Sequence, residues 1–196
     1  MTPEVEPGDC LGRKLLVVGD VNTGKTTLAH RILQDFCARG LGARIAVLDL
    51  APTIPPELAR ARGVRGVGGT LEADASCGVA LARPVLQAPR LSSASEAEAS
   101  AKAADNLRLI AQAWQQLPAR DILFVNDLSM AVQAGSAADL IARFACATTV
   151  VANGYLGERL GGGELTRHES AQMRALRDWF AQAGEVIALT RRYDGA

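Results

Sequence analysis

Eight consecutive residues, Gly19-Asp20-Val21-Asn22-Thr23-Gly24-Lys25-Thr26, set two glycines, a lysine and a hydroxyl at the spacing G-x-x-x-x-G-K-[ST]. Each residue type has a physical task at its position. Gly19 and Gly24 admit backbone angles that a side chain would obstruct. A turn of that kind aims consecutive N–H groups inward and forms a nest for phosphate oxygens. The start of a following helix adds its positive end. Lys25 is spaced to reach β- and γ-phosphates as a point charge, and the Thr26 hydroxyl to take one position on Mg2+, with Thr27 directly behind it. The chemistry asked for is the binding of a magnesium nucleoside triphosphate, ATP or GTP, by residues 19–27.

A magnesium site needs an acid near the threonine. Ile45-Ala46-Val47-Leu48-Asp49 is four apolar residues followed by Asp, and Asp49 is expected to act both as a catalytic carboxylate and at the metal. Leu123-Phe124-Val125-Asn126-Asp127 ends in a second candidate metal ligand, Asp127, although Asn126 interrupts the apolar run. Both acids close short apolar segments, and the carboxyl edge of an open α/β sheet is where ligands bind.

The elements that must carry these residues follow from periodicity. Apolar runs at 14–19, 44–50, 122–127, 148–153 and 185–189 predict strands. Helical spacing predicts helices over 24–39, with Leu28, Ile32, Leu33 and Phe36 on one stripe, over 95–117, from Ser136 through Phe144, and from Thr166 to a stop at Gly184. Ser95-x-x-Glu98 and Thr166-x-x-Glu169 both have capping-box spacing. Alternating strands and helices predict an α/β fold, a three-layer sandwich with a mostly parallel sheet covered on both faces. No domain boundary is evident, so residues 1–196 read as one domain with a loose tail at 1–12. Residues 51–94 break the alternation with prolines and glycines and read as a functional excursion, with a short strand or hairpin around 79–86.

The 196-residue chain has 21 Lys+Arg against 21 Asp+Glu. That balance speaks against general nucleic-acid or anionic-membrane binding. Only three of the cations are lysines, Lys14, Lys25 and Lys102, so each lysine position is informative. No apolar run reaches the ~18–20 residues of a membrane-spanning helix. The acidic, proline-bearing N-terminus has no secretory pattern, and Cys10, Cys37, Cys77 and Cys146 are widely spaced. A cytoplasmic protein with reduced thiols is the expectation.

At the Gly19–Thr26 motif and the Asp after the second strand, in Leu48-Asp49-Leu50-Ala51-Pro52, the chain resembles the P-loop NTPases. The likeness is to the branch that groups dimeric ATPases, metal-insertion GTPases and some kinases, the SIMIBI class. Polynucleotide 5′-hydroxyl kinases have a similar acidic strand end. The resemblance implies a P-loop NTPase fold, with Asp49 at the position that holds the metal's water or the attacking water. Position 20 is Asp, so the extra signature lysine of the dimeric partitioning ATPases is absent. The guanine-reading N-K-x-D is absent too. Its nearest equivalent is Asn153-Gly154-Tyr155-Leu156, where Asn153 is placed to meet a base edge, and ATP is favoured over GTP.

Weaker signals have ordinary readings beside functional ones. Arg60, Arg62, Arg65 and Arg90 are candidates for stabilising phosphoryl charge, against solvated surface. Cys77 beside Asp74 offers too few ligands for a metal site of its own. His30, His168, Trp114 and Trp179 read as packing or surface residues, and Gly161-Gly162-Gly163 as a flexible link. Three functions compete: a hydrolytic nucleotide switch acting on a protein partner, a kinase passing the γ-phosphate to a small molecule or polynucleotide end, and a non-catalytic nucleotide-binding scaffold.

Overall fold

The computed structural model describes residues 10–61, 69–157, 159–160 and 162–190. The tail at 1–9 lies outside the described residues. So do 62–68 of the excursion, with Arg62, Arg65, Gly63, Gly66 and Gly68, and so does Gly161.

Six strands form one sheet: β1 (Lys14–Gly19), β2 (Ile45–Asp49), β3 (Ala80–Ala82), β4 (Ile122–Asn126), β5 (Thr149–Tyr155) and β6 (Glu185–Leu189). Their order is β3-β2-β4-β5-β1-β6. Every pairing among the described residues is parallel. Parallel strands need covered crossovers, and the helices supply them. They are α1 (Lys25–Ala38), α2 (Pro56–Ala61), α3 (Pro89–Ser92), α4 (Glu96–Gln116), α5 (Ala137–Ala145) and α6 (Glu164–Ala183).

Strand alternation divides the core into two faces. Leu15 and Val17 of β1 pack on one side with Leu28, Ile32, Leu33 and Phe36 of α1. Leu16 and Val18 pack on the other with Ile110 of α4, Leu140 and Phe144 of α5, and Met173, Leu176 and Phe180 of α6. The result is the expected three-layer α/β sandwich. Trp114 and Trp179 pack at the margin of the second face, around the fully buried Phe144.

The rare lysines have defined partners. Lys14 Nζ donates to the carbonyls of Phe144 (2.9 Å) and Ala147 (2.7 Å), where it complements the negative end of α5. Lys102 Nζ donates to Ser92 O at 2.6 Å and pairs with Glu98 at 2.7 Å, pinning α4 to the end of α3.

Several boundaries differ from the sequence reading. Of the short strand or hairpin expected around 79–86, the strand is the one formed, a three-residue parallel edge strand, β3, narrower than that range. Cys10 is buried in the core, so the packed chain begins inside the expected tail. The strand expected to end at Asn153 runs on to Tyr155, because Gly154 and Tyr155 keep pairing with Val18 and Gly19 of β1. The Ser95 capping box forms, with Glu98 N donating to Ser95 Oγ at 3.2 Å, although Glu98 reaches back to Ala94 N rather than Ser95 N. The Thr166–Glu169 box does not form. The helix starts two residues earlier, at Glu164. Thr166 Oγ1 turns to Gly162 O, and Glu169 is drawn into the core by an arginine. A capping glutamate must stay at the helix surface, and residue 169 lies on the buried stripe with Leu165, Met173 and Leu176. Among the described residues no helix is long and apolar enough to cross a membrane.

Candidate functional site

Because the strands are parallel, the ends of β1, β2, β4 and β5 all open on one sheet edge. Gly19 ends β1, Asp49 ends β2 and Asn126 ends β4, with Asp127 next. Residues 20–24 then turn directly into α1.

The turn needs its glycines. Gly19 has φ +158°, and a Cβ there would overlap the Leu189 carbonyl of β6 at 2.4 Å. Gly24, ahead of α1, is left-handed at φ +88°. Asn22 is also left-handed, at φ +59°, a conformation that Asn tolerates better than most side chains. Within the turn the Asp20 carbonyl accepts from Lys25 Nζ (2.5 Å) and Thr23 Oγ1 (2.9 Å), and Val21 N donates to Asp20 Oδ1 (2.6 Å). The start of α1 carries no side-chain cap at Gly24 and no acid in its first turn. Thr27 is exposed there.

Thr26 Oγ1 lies 3.2 Å from Asn126 Oδ1. The same Asn126 oxygen accepts from Asn153 Nδ2 at 2.8 Å. Asn126 Nδ2 donates to Asp49 Oδ1 at 2.6 Å and to the Gly69 carbonyl at 2.8 Å. One buried amide therefore links the residue after Lys25, the acid of β2 and the strand next to β1. Asn126, which interrupts the apolar run in the sequence, is its hub. Its only sequence signal was a polar residue at a buried strand end.

Asp49 is fully buried. Besides Asn126, it accepts from Ala51 N (3.3 Å), Leu71 N (3.0 Å) and Arg83 Nε (2.9 Å). Four N–H groups thus satisfy the two oxygens of this buried carboxyl group. Arg83 was not foreseen, since its sequence neighbours give no hint that the excursion folds back to β2. The returning segment of that excursion, Gly69 to Glu72, passes over the site, and Glu72 O meets His30 Nε2 at 2.9 Å.

Asp127 has a left-handed backbone (φ +53°). Its N–H donates to Asn153 Oδ1 at 3.1 Å and its Oδ1 accepts from Ser129 Oγ at 2.7 Å. Burial pushes its carboxyl up, against the pull of Ser129, Lys25 and Arg90. Lys25 is pushed down by burial, against the pull of Asp127 and Asp20. Asn153 lies buried inside β5, with its amide nitrogen committed to Asn126 of β4 and its oxygen to Asp127, the residue after β4.

Behind Asp127 is a second polar cluster. Arg90 of α3 pairs with the buried Glu169 of α6 at 3.1 Å and stacks over the Tyr155 ring, 4.9 Å from its centroid. Burial raises the Glu169 carboxyl to about 7, outweighing Arg90, which pulls it down. A carboxyl held above its unfolded value of ~4.3 binds a proton more tightly in the folded state. Its contribution to stability is therefore complete below that value and is lost as pH rises through about 7. Urea unfolding of the wild type between pH 4.5 and 7 is expected to lose ~3 kcal/mol that Glu169→Gln does not lose. An unchanged slope in the variant would contradict this assignment.

Of the other candidates, Arg60 lies in α2 and is exposed. His168 Nε2 meets Gly135 O at 3.2 Å. Cys77 lies against Cys37, whose thiol is raised to about 11 by burial and by a hydrogen bond with Cys77. Among the described residues there is no group of three or more His, Cys, Asp or Glu that could hold a metal by itself. No protein-family model matches the chain, and no curated protein matches it.

Proposed function

We propose that the chain is a P-loop nucleotide-binding protein that binds a magnesium nucleoside triphosphate at residues 19–27 and hydrolyses it as a nucleotide-driven switch. The observation that carries the reading is the meeting of Thr26 with Asn126 at 3.2 Å. It joins the start of α1, directly after the glycine turn, to the acids at the ends of β2 and β4. The backbone N–H groups of 20–26 and the helix start would take the phosphates, and Lys25 would exchange the Asp20 carbonyl for phosphate oxygens.

The donors around Thr26 are hydroxyl, amide and carboxylate oxygens, which suits a hard cation such as Mg2+. Thr26 is the direct ligand in this reading. Asp127, the residue after Asn126, is the second candidate ligand, and Asp49 acts by way of Asn126. When bound, the ion would offset charge on the β- and γ-phosphates. In hydrolysis the oxygen of water bonds to the γ-phosphorus and the β–γ bridging bond breaks, leaving the nucleoside diphosphate. Gly69 packs beside Thr26, so nucleotide at the turn would be felt by the excursion and by a protein partner resting on it. ATP is favoured over GTP, because no acid follows Asn153 in a guanine-reading pattern.

Phosphate release from ATP and GTP tests this reading. Release is expected with Mg2+ and is expected to stop on chelation. No release from either nucleotide under any Mg2+ concentration would contradict hydrolysis. A second reading, transfer of the γ-phosphate to an acceptor, is favoured by one feature: a cleft bounded by Arg90 and Arg159, with Arg159 Nε 4.0 Å from Asp20 of the turn.

A further inference from the structure

That cleft has a volume of about 430 Å³ and lies between residues 89–96 on one side and 159–160 and 162–166 on the other. Pockets of a few hundred Å³ take small molecules. Its lining includes Arg90, Ser93, Glu96, Arg159 and Gly163.

Two of these residues have unused polar atoms. Arg90 Nη1 and Ser93 Oγ are buried and, among the described residues, have no hydrogen-bond partner. Arg90 is held in place from both sides, by Glu169 at 3.1 Å and by the Tyr155 ring, and only 12% of its side chain is exposed. A guanidinium fixed in that way with a free N–H is costly unless something accepts from it. Arg159 adds a second cation at the mouth of the cleft, where 72% of its side chain is exposed.

An oxyanion is already present at the other wall. The Glu96 carboxylate crosses from α4 to the start of α6, and its Oε1 accepts from Glu164 N at 3.3 Å. Gly163, which precedes that helix, has φ +104°, and a Cβ there would collide with the same oxygen. The backbone is thus shaped to admit an anionic oxygen from outside the helix. Glu169 pairs with Arg90 through Oε1, its Oε2 having no partner among the described residues, and Arg159 reaches Asp20 at 4.0 Å, so Glu96 is the carboxylate that lines the cleft itself.

We propose that this cleft binds the oxyanion group, phosphate or carboxylate, of a second ligand through Arg90 Nη1, Ser93 Oγ and Arg159, with Glu96 holding the place at α6 that the ligand anion competes for. As an anion site it stands alone. As the anion-holding subsite of a phosphoryl acceptor it rests on the phosphotransfer reading above, since Arg159 and Asp20 join the cleft to the phosphate turn.

The test is a calorimetric titration of the full chain with inorganic phosphate, and in parallel with acetate. The wild type and the cleft variants are saturated with Mg2+ and a non-hydrolysable ATP analogue so that the turn is filled, and Lys25→Ala, which does not hold the analogue, is titrated without it. Phosphate is expected to bind at millimolar strength, and Lys25→Ala is expected to leave that binding in place. Ser93→Ala and Arg159→Ala are each expected to weaken it, up to about tenfold. Glu96→Gln is expected to strengthen it severalfold, a gain that an unfolded variant would not give. Phosphate tighter than acetate would identify a phosphate-bearing ligand, and the reverse order a carboxylate-bearing one. Loss of binding in Lys25→Ala, or binding indifferent to all three cleft variants, would overturn the proposal. Failure of the nucleotide reading is distinguishable, because the analogue would then show no binding while the cleft variants still changed the phosphate titration.

Discussion

Lys25→Ala is expected to lower nucleotide turnover by about 10²–10³-fold, the usual loss when one preorganised charge-stabilising donor is removed from a phosphoryl or acyl site. The fold should survive the change. Lys25 Nζ makes its hydrogen bond to the Asp20 carbonyl at 2.5 Å, and Thr23 Oγ1 also donates to that carbonyl. Alanine therefore leaves no stranded acceptor. Burial already lowers the lysine's affinity for its proton, and Asp127 and Asp20 oppose that shift. Bound phosphate would oppose it further. Circular dichroism and a phosphate-release assay on the same sample check both parts. Turnover that persists at the wild-type rate in a folded variant would remove Lys25 from the chemistry.

Asp49→Asn is expected to have the largest effect on stability, about 3 kcal/mol. The change keeps the shape but turns one acceptor oxygen into a donor. That donor would face Asn126 Nδ2, Leu71 N or Arg83 Nε, each of which donates to Asp49 in the wild type. Removing one partner of a buried pair costs ~3–5 kcal/mol. The lower end applies because 34% of the Arg83 side chain is exposed and its charge remains partly solvated. For a domain of this size, ~2–4 °C is lost per kcal/mol, so the melting temperature should fall by about 6–12 °C. Turnover at low temperature should fall as well, since Asn126 loses the group that orients it toward Thr26. A melting temperature within ~2 °C of the wild type would show that Asp49 is not the anchor of this site.

Much of this arrangement was legible in the sequence. Motif spacing located the glycine turn. The apolar runs located five strands, and parallel order then placed Gly19, Asp49 and Asp127 at one edge. What sequence could not supply was lateral neighbourhood. β5 lies between β1 and β4, and that order is fixed by crossovers rather than by any local pattern. It makes Asn153 a neighbour of Asn126, two polar residues on adjacent buried strands that satisfy each other. Arg83 was hidden for the same reason: 34 residues separate it from Asp49, across the excursion. Glu169 misled because its spacing from Thr166 matches a cap. The helix register is set instead by the buried stripe of α6, and that stripe turns Glu169 inward to Arg90.

The central claim is that residues 19–27 bind a magnesium nucleotide, and binding can be measured before any reaction is known. Calorimetric titration of the wild-type chain with ADP, ATP, GDP and GTP, with and without Mg2+, is the most direct test. The account predicts binding of at least one triphosphate, adenine ahead of guanine, strengthened by Mg2+ and lost in Lys25→Ala. No binding of any of the four nucleotides to folded wild-type protein would contradict it.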